Sequence, residues 1–246
     1  YVFNKLYEDG LLFKDQRLVN WDTKFETAIS DLEVQQIEVE GNLWYIKYPL
    51  QDDKSKFITI ATTRPETMLG DTAIAVNPKD KNYNKLIGKI AIIPLSGRSI
   101  PIIGDDYAKM DEGTGAVKIT PAHDFNDFEV GKRNNLEMLN ILDKSGHLVD
   151  DDFIPKKYQK LERFSARKEI LSDLEAEGSL INTEKHLHNV PHGDRSGVAI
   201  EPYLTDQWYV DAKELSKKAI KAVKEKKTKF VPENWEKTYF EWMDNI

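Results

Sequence analysis

Phe57-Ile58-Thr59-Ile60-Ala61-Thr62-Thr63-Arg64-Pro65-Glu66-Thr67-Met68-Leu69-Gly70-Asp71 begins as a strand and then breaks. Phe57 to Thr62 alternates well enough to put β-branched side chains on one face of a sheet. Pro65 has no N–H to continue a ladder, so the chain must turn there. A short helical turn starting at Pro65 leaves backbone N–H groups free. Thr62, Thr63, Thr67 and Arg64 then crowd a strand-to-turn junction. Taken alone, the pattern fits a capped turn with a surface arginine as well as it fits a polar site.

The same rhythm extends outward. Ala73 to Val76, Lys89 to Pro94, Ile100 to Ile103 and Ala116 to Thr120 are short, β-branched and punctuated by Gly and Pro. Upstream, Val34 to Glu40 and Leu43 to Leu50 flank Gly41-Asn42, a hairpin signal. Short strands at this spacing point to a closed barrel or a sandwich rather than alternating β-α units. Leu18 to Leu32 reads as irregular. Helices are expected at Tyr1 to Asp9, ended by Gly10, and at Asp124 to Arg133, capped by Asp124. Two more are expected at Arg167 to Glu177, capped by Ser165 and stopped by Gly178, and at Asp211 to Lys227, and a last one at Trp235 to Met243. Composition places boundaries near residues 40 and 190, giving segments 1–40, 41–190 and 191–246.

A second polar junction is Gly113-Thr114-Gly115-Ala116-Val117-Lys118-Ile119-Thr120-Pro121-Ala122-His123-Asp124-Phe125-Asn126-Asp127-Phe128-Glu129. Lys118 and Thr120 share a strand face, and Asp124 and Asp127 share a face of the following helix. A lysine, a threonine and two carboxylates therefore converge where strand meets helix. Asp124 serves equally well as a plain helix cap.

Composition excludes several classes. The 246 residues are 40% apolar and 31% charged, as expected of a globular chain with a full core. There is no cysteine, so disulfides, thiolate zinc sites and a cysteine nucleophile are ruled out, in keeping with a reducing compartment. His123, His186, His188 and His192 lack the spacing of a zinc site, which leaves a metal-dependent hydrolase a poor reading and predicts no metal. No Walker-type loop is present. The net charge of -7 argues against a broadly basic nucleic-acid binder. Locally, Asp211 to Phe230 carries eight lysines against three acids, a net of +5, which reads as a solvated helix face. No stretch nears the roughly 20 apolar residues of a membrane span. Tyr1 is not an initiator methionine, which suggests a piece of a longer chain.

Together, Thr62-Thr63-Arg64-Pro65-Glu66-Thr67 and Thr120-Pro121-Ala122-His123-Asp124-Phe125-Asn126-Asp127-Phe128-Glu129 resemble the two editing segments of the class I aminoacyl-tRNA synthetases for leucine, isoleucine and valine, in their valyl form. Ala122 and Asn126 stand where the isoleucyl and leucyl forms usually carry glycine and arginine. Leu18-Val19-Asn20-Trp21-Asp22, Asp194-Arg195-Ser196-Gly197-Val198, Glu201 to Val210 and Phe230-Val231-Pro232-Glu233-Asn234-Trp235 resemble the valyl stems that join the editing insertion to the catalytic domain, so the likeness covers nearly the whole chain. The HIGH and KMSKS signatures of ATP binding are not found.

The resemblance implies a β-barrel editing core with peripheral helices and α/β stems. It implies hydrolysis of threonyl-tRNA(Val) that spares valyl-tRNA(Val). Editing would need no cofactor, ATP and magnesium belonging to the catalytic domain. Implied partners are the 3′ end of tRNA(Val) bearing threonine and the rest of a synthetase chain, in a cytoplasmic, monomeric protein without a membrane. Lys118, Arg64 and Asp127 are the candidate catalytic residues. Thr62, Thr63, Thr67, Thr120, Asp124 and Asp127 are the candidate substrate contacts. With no nucleophile-base-orienter triad visible, water is expected to attack the ester directly. A leucyl or isoleucyl editing domain and a catalytically silent tRNA-binding module are the competing readings.

Overall fold

Burial alternates along the stretch quoted first, and that alternation fixes the centre of the molecule. The computed structural model describes residues 1–246. In chain order its elements are α1 Val2–Glu8, β1 Leu12–Asp22, β2 Thr27–Ile29, β3 Val34–Pro49, β4 Phe57–Thr62, β5 Ala73–Val76, β6 Ile90–Ile92, β7 Ser99–Gly104, β8 Ala116–Ile119, α2 Phe125–Arg133, α3 Arg163–Ala176, β9 Leu180–Gly193, β10 Glu201–Val210, α4 Ala212–Lys224 and α5 Trp235–Asp244. A 3-10 turn, Pro65–Gly70, follows β4 with Pro65 in its first turn.

The strands form three sheets, ordered β10-β1-β2, β4-β3-β9 and β6-β7-β5-β8. In the second, Ile46, Tyr48 and Leu50 of the β3 region face inward at every second position and meet Ile58 and Ile60 of β4. In the third, β5 is buried on both faces: Ile74 and Val76 join the main core, and Ala73 and Ala75 pack with Ile119 and Val130 on the other side. Ala166, Ile170 and Leu174 recur every four residues on α3 and close the main core from outside. Each buried isoleucine or leucine contributes about 1.5–3 kcal/mol.

The expected closed barrel does not form. β4 and β8 are the free edges of their sheets, and no ladder joins them. Positive φ angles at Gly113 and Gly115 shape the turn before β8. Across the seam, the Thr114 hydroxyl donates to the Thr59 carbonyl at 2.7 Å, a side-chain bond in place of strand pairing. Elsewhere the two sheets pack through the shared core, and an isolated bridge pairs Leu50 with Ala91.

The expected hairpin at Gly41-Asn42 is also absent. β3 runs straight through it for 16 residues, and Gly41 pairs with His186 of β9. Here glycine answers a close approach, not a turn: a Cβ at Gly41 would lie 2.3 Å from Cε1 of His188. Leu18 to Leu32, read as irregular, instead contains the end of β1 and all of β2, which pair through Trp21 and Ala28. α3 starts four residues early, because the Glu162 carboxylate, not Ser165, caps it by accepting from the amides of Phe164 and Ser165. Gly178 does follow that helix with a φ of 74°.

The chain divides into two compact units, Leu18–Leu204 and Tyr1–Arg17 with Thr205–Ile246. The boundaries expected near 40 and 190 fall instead inside paired strands, where Glu40 faces Leu187 and Gln36 faces Pro191. In the smaller unit, Trp208 meets the rings of Phe3 and Tyr7, and Arg17 stacks over Tyr209 at 4.3 Å. The lysine-rich α4 buries only Ser216 and Val223, and its lysines stay at the surface, Lys217 and Lys221 pairing with Glu214 and Glu225. No helix is long and apolar enough to cross a membrane.

Candidate active site

The antiparallel register that sets Ala73 against Ile119 draws the two polar segments together. It carries Asp71, at the end of the 3-10 turn, alongside Thr120, just past the end of β8. Gly70 permits this approach, since a Cβ there would stand 2.8 Å from Ile141 and 3.2 Å from the methyl of Thr120. A cleft of about 250 Å³ opens above the junction. All eight expected residues line it: Thr62, Thr63, Arg64, Thr67, Lys118, Thr120, Asp124 and Asp127.

Their environments differ. Asp71 is fully enclosed and accepts from the Thr120 hydroxyl at 2.6 Å, the Lys118 ammonium at 3.2 Å and, on its other oxygen, the Tyr48 hydroxyl at 2.8 Å. Burial pushes its pKa above the usual value, against the opposing pull of Lys118, Thr120 and Tyr48. Lys118 also bonds the Thr120 hydroxyl. An ammonium has three donors, so these two bonds leave one for a ligand in the cleft.

Asp127 is 5% exposed, and its Oδ2 accepts from the Thr120 amide at 2.9 Å. Burial, reinforced by the neighbouring Asp124 charge, raises its pKa to about 7. Burial and the same two carboxylates push the Tyr107 phenol well up. Asp124 is the cap of α2: its Oδ1 takes the amides of Asn126 at 2.8 Å and Asp127 at 3.0 Å. The capping role and a place on the cleft wall therefore coexist.

Arg64 is less free than the sequence suggests. Its guanidinium donates to the His123 carbonyl at 2.9 Å, bonds Glu201 and lies 3.5 Å from Glu66. Glu66, fully buried, is gripped by both nitrogens of Arg167 at 2.7 Å. Arg163 approaches Glu201 to 2.8 Å. With Glu162 at 3.7 Å from Arg163, Arg64 thus belongs to a six-member ion network at the cleft. Thr62 and Thr67 brace the same loop, the first accepting from the Arg64 amide and the second donating to the Arg64 carbonyl. His123 Nε2 accepts from the Ile141 amide at 2.9 Å, which takes that lone pair and places the ring proton on Nδ1. Burial, then the Arg64 and Lys118 charges, hold the imidazole neutral.

Asp71, Tyr48, Tyr107, Glu66 and Glu201 went unnoticed in the sequence. Asp71 and Glu66 stand within the first polar segment, but a lone carboxylate there carries no signal until its partner strand is known. Tyr48, by contrast, falls on the inward face of an alternating strand and reads as core.

The whole chain, residues 1–246, matches the family of class I tRNA synthetases (I, L, M and V), and it belongs to that family. It is 57% identical to the valine–tRNA ligases of Bradyrhizobium diazoefficiens and Rhodopseudomonas palustris, over all of this chain and 28% of each relative. The chain therefore spans just over a quarter of those relatives' length. Among solved structures, a chain of the ternary complex of Agrobacterium radiobacter K84 agnB2 LeuRS, tRNA and LeuAMS is 19% identical with a TM-score of 0.45, over 82% of this chain and 35% of that one.

Proposed function

We propose that this chain is the editing segment of a valine–tRNA ligase and hydrolyses the ester of threonine wrongly attached to tRNA(Val). The observation that carries the reading is the meeting of Asp127, Thr120, Lys118 and Asp124 in one cleft of a chain whose relatives are valine–tRNA ligases. Threonine and valine have nearly one shape, and a hydrophobic pocket rejects such an isostere only weakly, as valine-activating sites themselves illustrate. A polar cleft inverts the preference. Valine would leave the groups that meet the threonine hydroxyl without partners, at about 1–3 kcal/mol, or one to two decades of selectivity.

In this reading the Asp127 carboxylate holds the α-ammonium of the aminoacyl group. Asp124 and Thr120 read the threonine hydroxyl. The remaining Lys118 donor meets the charge that builds on the ester oxygen as water attacks. Asp71 and Tyr48 aim Lys118, and the Arg64 network fixes the threonine-rich turn on which the terminal adenosine rests. The 3′ end of the tRNA is the partner, and the rest of the synthetase presents it. No cofactor is required for this step.

The test is deacylation of threonyl-tRNA(Val) beside valyl-tRNA(Val), with Asp127→Ala as control. Rapid loss of threonine alone, abolished by the substitution, is expected. Equal loss of both amino acids, or turnover that survives Asp127→Ala, would sink the assignment.

A further inference from the structure

A second cavity, of about 320 Å³, adjoins the cleft and shares Thr63, Arg64 and Asp124 with it. Its character is different. Phe125, the first residue of α2, and Phe164, the second of α3, enter its wall with 43% and 40% of their surface exposed. Two guanidinium groups attend the Phe164 ring, Arg163 at 4.6 Å and Arg167 at 5.2 Å from its centre. Arg167 is held rigid by its two bonds to Glu66. An exposed, braced aromatic with planar cations beside it is the platform on which unpaired bases stack. A simple apolar contact would need neither the cations nor their anchoring.

Resting on the editing reading, we propose that this second cavity binds the base of the nucleotide preceding the terminal adenosine, stacked on Phe164 with Phe125 at its edge. The first cleft, at about 250 Å³, lies below the roughly 300–1,000 Å³ of ordinary small-molecule sites, so it has no room for a second nucleotide. The strand must then leave over the rim that Thr63, Arg64 and Asp124 form, and this rim opens into the second cavity. The cavity would thus register the acceptor strand and hold the ester in place while water attacks.

The experiment compares two substrates in this chain: threonyl-adenosine, and its dinucleotide counterpart with one cytidine on the 5′ side. The quantity read is the ratio of kcat/KM for the dinucleotide to that for the nucleoside. Phe164→Leu, which keeps apolar bulk but lacks a π face, lowers this ratio about 5- to 100-fold, chiefly through KM. Phe164→Trp retains it. A ratio unchanged by Phe164→Leu, with both esters still hydrolysed, overturns the second cavity while leaving the editing cleft standing. Hydrolysis of neither ester by the unsubstituted chain overturns the editing reading and this proposal with it.

Discussion

Replacing Asp127 with Asn should stabilise the protein, and by an amount that grows with pH. The carboxyl is almost wholly buried, and its pKa lies near 7 in the folded chain against 3.8 as the ordinary value. Folding therefore takes up a proton. The stability contributed by this group is full below about pH 4 and is lost as pH rises through 7. Asn cannot ionise, and its side-chain oxygen still accepts from the Thr120 amide. Between pH 5 and pH 8 the wild-type chain gives up about two pKa units' worth of proton binding, or about 3 kcal/mol, that the variant keeps. At about 2–4 °C per kcal/mol for a unit of this size, the gap in melting temperature between variant and wild type widens by about 6–12 °C. Thermal melting of both proteins at pH 5 and pH 8 measures it directly. A difference between them that is the same at both pH values would refute the claim that burial and Asp124 hold a proton on Asp127.

In the proposed editing reaction the same group sets the pH dependence: since only the carboxylate grips an ammonium, kcat/KM for threonyl-tRNA(Val) is expected to rise with pH through about 7, a slope that a rate profile from pH 5.5 to 8.5, corrected for uncatalysed loss, would show and that Asp127→Asn would flatten. Glu66→Gln strips the buried partner from Arg167 and Arg64 and costs about 3 kcal/mol by urea denaturation at pH 7. Burial works against the Glu66 charge, but the Arg167 bonds win and lower its pKa, so the cost of that substitution shrinks as pH falls through the folded-state pKa. Gly70→Ala forces a methyl against Ile141 and Thr120 and costs about 1–3 kcal/mol by thermal melting, with slower deacylation because Thr120 moves.

What the sequence disclosed follows from the range of the forces involved. β4 was legible because alternation is local, β5 and β8 because they are short apolar runs bounded by turn residues, and Asp124 was legible as a cap because capping reaches only three residues ahead. The cleft residues could be named because strand and helix periodicities put them on common faces, and the family likeness selected them from other polar clusters. Gly41 was misread because glycine serves both tight turns and close approaches, and only the partner strand tells which. β1 escaped notice because the polar run Lys14-Asp15-Gln16-Arg17 interrupts any apolar alternation. The missing closure between β4 and β8, and the pairing of Asp71 with Lys118, depend on residues 47 or more positions apart, beyond any local pattern.

The open seam between β4 and β8 has its own consequence for how the cleft holds a ligand. Ala61 and Thr62 from one edge, and Val117 and Lys118 from the other, line the cleft where a closed barrel would have run a ladder. Strand edges without a neighbour present main-chain N–H and C=O groups to whatever lies beside them. A guest in that gap can be held by the peptide backbone itself, whatever its side chain, while Asp124 and Thr120, in the role proposed for them, judge its identity. Grip and discrimination would then reside in different atoms. In the proposed reaction, replacing Asp124 or Thr120 would then alter which amino acid is removed more readily than whether an aminoacyl end is held at all.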